Sequence, residues 1–244
     1  MLVEACVDTP LSARRAVAGG ARRLELCANL VEGGTTPSPG LMGVVREEIG
    51  IPVHVLIRPR GGDFLYTTDE IAVMLADIAE ARRSGMEGVV IGALTPDGKV
   101  DERSTRTLVE AARPLAVTFH RAFDLADHPM AAMEALERLG IERLLTAGQA
   151  NTALEGIPVL RELVKSSAGR VTVLAGGGIT ETNALRIVRE TGVTEIHLRG
   201  GASEESGMTF RRGGVFMGKR YEPDEYRRSE TSERRIRDVV AAVG

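Results

Sequence analysis

The chain has 244 residues, 43% of them hydrophobic but only 3% aromatic, with no tryptophan and a net charge of −3. That length suits one α/β barrel as readily as two smaller domains, with aliphatic side chains left to do the packing. The charge argues against a nucleic-acid binder driven by bulk positive charge, and no apolar run approaches the ~20 residues a membrane-crossing helix needs.

The start, Met1 to Ala5, lacks the basic and apolar regions of a signal peptide. Two cysteines, Cys6 and Cys27, cannot form a disulfide framework. A cytoplasmic location is therefore expected, and thiols there stay reduced. The first strand is predicted over Leu2–Asp8. Side chains alternate along a strand, so Val3, Ala5 and Val7 share one face and Glu4, Cys6 and Asp8 the other. The helix that follows ends at Gly20, a residue that tolerates the left-handed cap conformation. Strand Arg23–Cys27 then puts Glu25 and Cys27 together. A Gly-rich loop, Ala28 to Ser38, leads on to strand Pro52–Ile57, where His54 faces the same way as Arg58. A second charged, Gly-rich loop runs from Arg58 to Phe64. Neither loop has the length or charge of an ordinary turn.

Thr68 to Ser84 carries Ile71, Met74, Leu75 and Ile78 at helical spacing, and Gly85 leads to strand Gly88–Ile91. Strand Ala116–His120 pairs Thr118 with His120. His128 to Leu139 reads as a helix started by an exposed His128, and Gly140 leads to strand Arg143–Thr146. Strand Val171–Leu174 runs into Gly176-Gly177-Gly178. Thr182 to Glu190 is helical, Gly192 is the next joint, and Glu195–Leu198 pairs Glu195 with His197.

Eight strands alternating with helices predict an α/β fold, a (β/α)8 TIM-type barrel formed by a single domain over 1–244. The polar inner face argues against an open doubly wound sheet, whose strands should read as continuous apolar runs. Residues 199–227 are polar and Gly-rich. They are expected to form a loop insert across the barrel mouth or an oligomer contact, with helical sequence resuming near Ser229. Its basic residues, Arg211, Arg212, Lys219, Arg220, Arg227 and Arg228, read as a solvated surface.

Burying many ionisable groups is costly unless they pair or bind something, so the inner face points to a ligand or metal site. The residues leave several chemistries open. Cys6 and Cys27 sit on adjacent strands and are either inert packing thiols or a pair able to hold a soft ion such as Cu(I). Glu4, Glu25, His54 and His120 are candidate acid–base groups. Arg58, Arg60 and Arg121 suit a carboxylate or phosphate, with Asp63 beside them. Gly176, Gly177 and Gly178 follow strand seven, where such barrels often bind phosphate. These residues support, as an alternative, an enzyme acting on a small anionic or phosphorylated metabolite, with or without a divalent metal. A third alternative is an oligomeric scaffold.

The stretches Glu25-Leu26-Cys27-Ala28-Asn29-Leu30, Glu32 to Ser38, His54 to Phe64, Thr118 to Asp124 and Ser206-Gly207-Met208 resemble the CutC family, named for copper homeostasis. The resemblance runs from Glu4 to about Gly218. It implies a cytoplasmic (β/α)8-type barrel, a homodimer or higher homo-oligomer, with Cys6 and Cys27 as Cu(I) ligands. One departure is visible: Thr146-Ala147-Gly148-Gln149 has Ala and Gln where the family usually shows a Ser-Gly-Gly turn.

Overall fold

The computed structural model describes residues 1–215 and 226–244. Eight parallel strands close on themselves in sequence order: β1 (Leu2–Val7), β2 (Arg23–Leu26), β3 (Val53–Leu56), β4 (Gly88–Ile91), β5 (Ala116–Phe119), β6 (Arg143–Thr146), β7 (Thr172–Gly176) and β8 (Glu195–Leu198). The closing pair sets Glu4 opposite His197, and the first pair sets Cys6 opposite Glu25. Helices α1 (Pro10–Ala18), α2 (Pro39–Glu48), α3 (Thr68–Arg83), α4 (Glu102–Ala112), α5 (Pro129–Arg138), α6 (Ile157–Ser167) and α7 (Ala184–Thr191) lie between the strands. The expected (β/α)8 barrel is the observed one.

The helices start where local chemistry starts them. Thr9 caps α1 by accepting the Ser12 N–H, with Pro10 in the first turn. Thr67 and Glu70 form a reciprocal capping box on α3. His128 caps α5 through Nδ1 and is exposed, as expected. The outward strand residues, such as Val3, Leu24, Val53, Val55, Val89 and Val117, pack with Met74, Ile78, Leu108, Leu136 and Leu160 of the helices in one apolar layer. Only the ring interior is polar.

Strand seven runs Thr172–Gly176 rather than Val171–Leu174, so the Gly triplet begins inside the sheet. Within 199–227 part of the expected loop is strand: β9 (Gly201–Glu205) pairs antiparallel with β10 (Arg227–Thr231). The helix expected from Ser229 begins four residues later, as α8 (Glu233–Val243) capped by Ser232. Ser229–Thr231 are taken by β10, whose buried Glu230 accepts hydrogen bonds from Thr9 Oγ1 (2.7 Å) and Ser12 Oγ (2.8 Å). Those contacts tie the insert's return strand to the N-terminus of α1, at the mouth end of the barrel. Lys219 and Arg220 lie outside the described residues.

Candidate functional site

Strand parity brings the polar residues inward in tiers. The lowest tier is a buried ion network. Arg23 pairs with Glu4 and, at 2.5 Å, with Glu195, which also takes Arg143 Nε at 2.8 Å. Arg23 and Arg143 were not singled out in the sequence, although Arg23 has the same strand parity as Glu25. Above them Glu4 Oε1 lies 2.8 Å from His197 Nδ1, and His197 Nε2 lies 3.7 Å from Glu25 Oε2. Cys6 Sγ and Cys27 Sγ are 3.6 Å apart, and the Cys27 thiol points at Glu25 Oε2 at 3.5 Å. Cys6, Glu25 and Cys27 thus offer three donor atoms within 4.8 Å of one another, all buried.

The electrostatics follow from this crowding. Burial pushes the Glu4 carboxyl up, but the His197 hydrogen bond and the Arg23 and His197 charges outweigh it and leave it well below the usual range. The Cys27 hydrogen bond, opposed by burial and aided by His197, brings the Cys6 thiol down to about 5. Burial and the Cys6 charge push Glu25 up to about 8, and burial beside Cys6 pushes Cys27 well above its ordinary value. Burial alone lowers His197, yet its Cys6, Glu25 and Glu4 partners win and hold it well above the usual imidazole range. These directions favour a thiolate on Cys6, a proton on Cys27 and on Glu25, and an imidazolium on His197 beside the Glu4 carboxylate.

The two other inward histidines behave oppositely. Burial takes His54 down to about 4, and burial with the Arg58 charge takes His120 down to about 3. Each fits only because a glycine faces it. A Cβ on Gly88 would lie 2.5 Å from His54 Cδ2, and one on Gly92 2.3 Å from His120 Cε1. Both imidazoles are neutral in the fold and must charge in acid when unfolded. The sign is that of a depressed folded pKa. Stability is full above the unfolded value of 6.5 and declines as pH falls through the folded values. Urea denaturation from about pH 7 to about pH 4.5 is expected to show falling stability. His120→Gln is expected to flatten that slope by up to one proton, and an unchanged slope would remove His120 from the account.

A cavity of about 320 Å³ opens above this floor at the C-terminal ends of the strands. Of the residues expected at the site, Cys6, Glu25, Arg58, His120, Arg121, Gly177 and Gly178 line it together. Cys27 lies behind Cys6, Glu4 beneath His197, and His54 is buried on the inner face of β3. Gly176 passes under His197, where a Cβ would lie 3.2 Å from the His197 Cβ. Arg58 spends its terminal nitrogens on the carbonyls of Glu32, Gly34 and Gly62, each at 2.8 Å, and so ties the two long loops together. Arg60 pairs with Glu70 (2.5 Å) and Asp63 (3.0 Å) away from the cavity. Asp124 fixes Arg121 by accepting from its Nε at 2.6 Å, and also accepts the Ala147 and Gln149 N–H groups at 3.0 Å. Ala147 thereby contributes its backbone N–H to that turn, and Gln149 contributes both its backbone N–H and its side-chain amide, which donates to the carbonyls of Ala126 (2.7 Å) and Phe123 (3.2 Å). Arg199 also lines the cavity. The sequence places it among the residues at the strand ends, His197 to Gly200, without naming it as an anion binder, although its odd-numbered parity with His197 marks it as inward.

Residues 1–202 match the model of the CutC family. The mouse copper homeostasis protein cutC homolog is 49% identical over 240 residues, covering 98% of this chain and 88% of the relative. A CutC family protein of Bacteroides fragilis is 45% identical over 243 residues, covering 99% and 97% of the two chains. The crystal structure of CutC from Streptococcus agalactiae superposes with a TM-score of 0.77 at 35% identity, covering 81% of this chain and 97% of that one. Phosphoribosyl anthranilate isomerase from Thermococcus kodakaraensis, at 15% identity and a TM-score of 0.61 over 99% of this chain and 98% of that one, shares the barrel alone. With the family model matched over residues 1–202 and relatives 45–49% identical over nearly the whole length, this chain belongs to the CutC family.

Proposed function

We propose that the protein handles Cu(I) as cargo, with Cys6 and Cys27 as its ligands. One observation carries the reading: two buried sulfurs 3.6 Å apart, close enough to share one ion. The donors fit it. Soft thiolates select Cu(I) over harder ions, and Cys6 already favours its thiolate form. Glu25 adds an oxygen beside the pair, and His197 balances the thiolate charge. The names of the relatives support a role in copper homeostasis. The reading also places the protein in the cytoplasm, since two thiols this close stay free only where the compartment is reducing. The test is an anaerobic Cu(I) competition titration of the wild type and of Cys6→Ser/Cys27→Ser. One tightly held ion that disappears in the double variant is expected. Cysteine-independent binding would sink the proposal.

A second reading, catalysis at the same floor, is favoured by the chain Glu4–His197–Cys6. A carboxylate orients an imidazolium that stabilises a thiolate facing a cavity, which is how an activated sulfur nucleophile is built. Cys6 is then expected to react with iodoacetamide at about pH 6 far faster than a free thiol, which is protonated there. Labelling no faster than that of free cysteine would count against it.

A further inference from the structure

The cavity has a polar rim that the copper reading does not use. On the side of β7 and β8 the chain turns back twice through left-handed glycines. Gly177 and Gly178 have φ of 106° and 67°, and Gly200 has φ of 59°. Gly177 suits this turn because its φ is one that L side chains rarely adopt, and a Cβ there would also crowd the Ala147 Cβ (3.1 Å) and Arg121 Nη1 (3.3 Å). The amide N–H groups of Gly177, Gly178 and Gly200 have no protein acceptor among the described residues.

Two guanidinium groups stand at the same rim. Arg121 is held by Asp124 through Nε and by the Ala150 carbonyl through Nη2, which leaves Nη1 over Gly177. The Arg199 side chain makes no hydrogen bond or ion pair with a described residue. The nearby negative groups that oppose an anion are Asp8, toward which Arg199 acts electrostatically, and the Cys6 thiolate deeper in the cavity, whose charge His197 balances. A further donor lies on the opposite wall. His120 Nδ1 accepts the Ala122 N–H at 3.1 Å, so its proton sits on Nε2, which is buried without a partner.

We propose that this cavity binds a small phosphate monoester. Its phosphoryl group sits between the Gly177–Gly178 and Arg199–Gly200 turns, and its organic part reaches down toward Cys6 and Glu25. A tetrahedral dianion has acceptors enough for two arginines and amide groups arriving from two loops, whereas a planar carboxylate is served by one guanidinium. The loops after strands seven and eight are where a (β/α)8 barrel offers such backbone donors. Leu30, Leu145, Ile179 and Leu198 wall the space below, and its volume, about 320 Å³, fits a metabolite rather than a polymer. The proposal does not depend on copper occupancy.

Calorimetric titration of the full chain with inorganic phosphate, glycerol 3-phosphate and glycerol at fixed ionic strength tests it. Glycerol 3-phosphate is expected to bind, more tightly than inorganic phosphate, and glycerol not at all. Arg199→Gln is expected to weaken both anions at least about tenfold, the usual loss of a charged hydrogen-bond donor. Its Cu(I) titration and circular dichroism should be unchanged. Arg121→Gln should weaken them further, but it also strips a partner from Asp124, so Arg199→Gln decides. No binding of either anion by the wild type overturns the proposal. So does equal binding by a folded Arg199→Gln.

Discussion

Replacing Glu4 by alanine is expected to destabilise the barrel by about 3–5 kcal/mol, the cost of removing one partner from a buried ion pair. Glu4 is 1% exposed and meets Arg23 on one side and His197 on the other. Its loss leaves Arg23 with Glu195 alone and takes from His197 the carboxylate at Nδ1, so a buried network of several charges loses its shared anion. Domains are typically stable by only about 5–15 kcal/mol, so the variant is expected to lose much of its margin. Urea denaturation at about pH 7 measures it, and a loss below about 1 kcal/mol would show that Arg23 and His197 are satisfied without Glu4. The paired variant Glu4→Leu/Arg23→Met is expected to recover much of the loss, because replacing both ends of a buried pair by apolar groups is often neutral. Glu195 would keep Arg143 as its partner. The pH dependence has a definite sign. Glu4 has a depressed folded pKa, so its contribution is full above the unfolded value of 4.5 and is lost as pH falls below it.

Removing Cys27 is expected to weaken Cu(I) binding by more than about 100-fold, beyond what loss of a residue supporting a ligand costs. Cys27→Ser leaves Cys6 as the sole thiolate, and a hydroxyl is a poor replacement ligand for a soft ion. The proton inventory makes a second, independent prediction. Cys6 is already ionised at neutral pH, while Cys27 is held well above its ordinary value. Binding through the two sulfurs must therefore expel the Cys27 proton, and affinity should rise about tenfold per pH unit between about pH 6 and 8, more steeply where the Glu25 carboxyl also gives up its proton to join them. A Cu(I) competition series across that range reads the slope directly. A flat profile would mean that Cys27 gives up no proton on binding, which would overturn this assignment of the thiol and the thiolate.

Much of the fold was legible because a strand has period two and a barrel makes that period count. Glu4, Cys6, Glu25, His54, Thr118, His120 and His197 all lie on the polar parity of their strands, and all are inside the ring. Glycine at the end of a helix marked the joints, since a helix needs a left-handed exit that few other residues supply. Arginine was harder to place. Arg58, Arg60 and Arg121 looked alike as anion binders, but their fates depend on which carbonyls and carboxylates come within reach. Arg58 is committed to three loop carbonyls, Arg60 to Glu70 and Asp63, and only Arg121 keeps a nitrogen facing the cavity.

By itself, then, the sequence determined the barrel, the inward side of each strand, the family and the chemical types gathered at the mouth. These follow from local periodicity and from residues a few positions apart. Tertiary structure alone decided which of them meet. The register of β1 on β2 sets Cys6 beside Glu25 and brings its sulfur to Cys27. The closure of β8 on β1 delivers His197 to Glu4 from 193 positions away. Strand β10, read in the sequence as the end of a polar loop and the start of a helix, is held by Glu230 to Ser12, 218 positions away. Contacts at that separation depend on register and closure, which are properties of the whole ring and are written in no single segment of it.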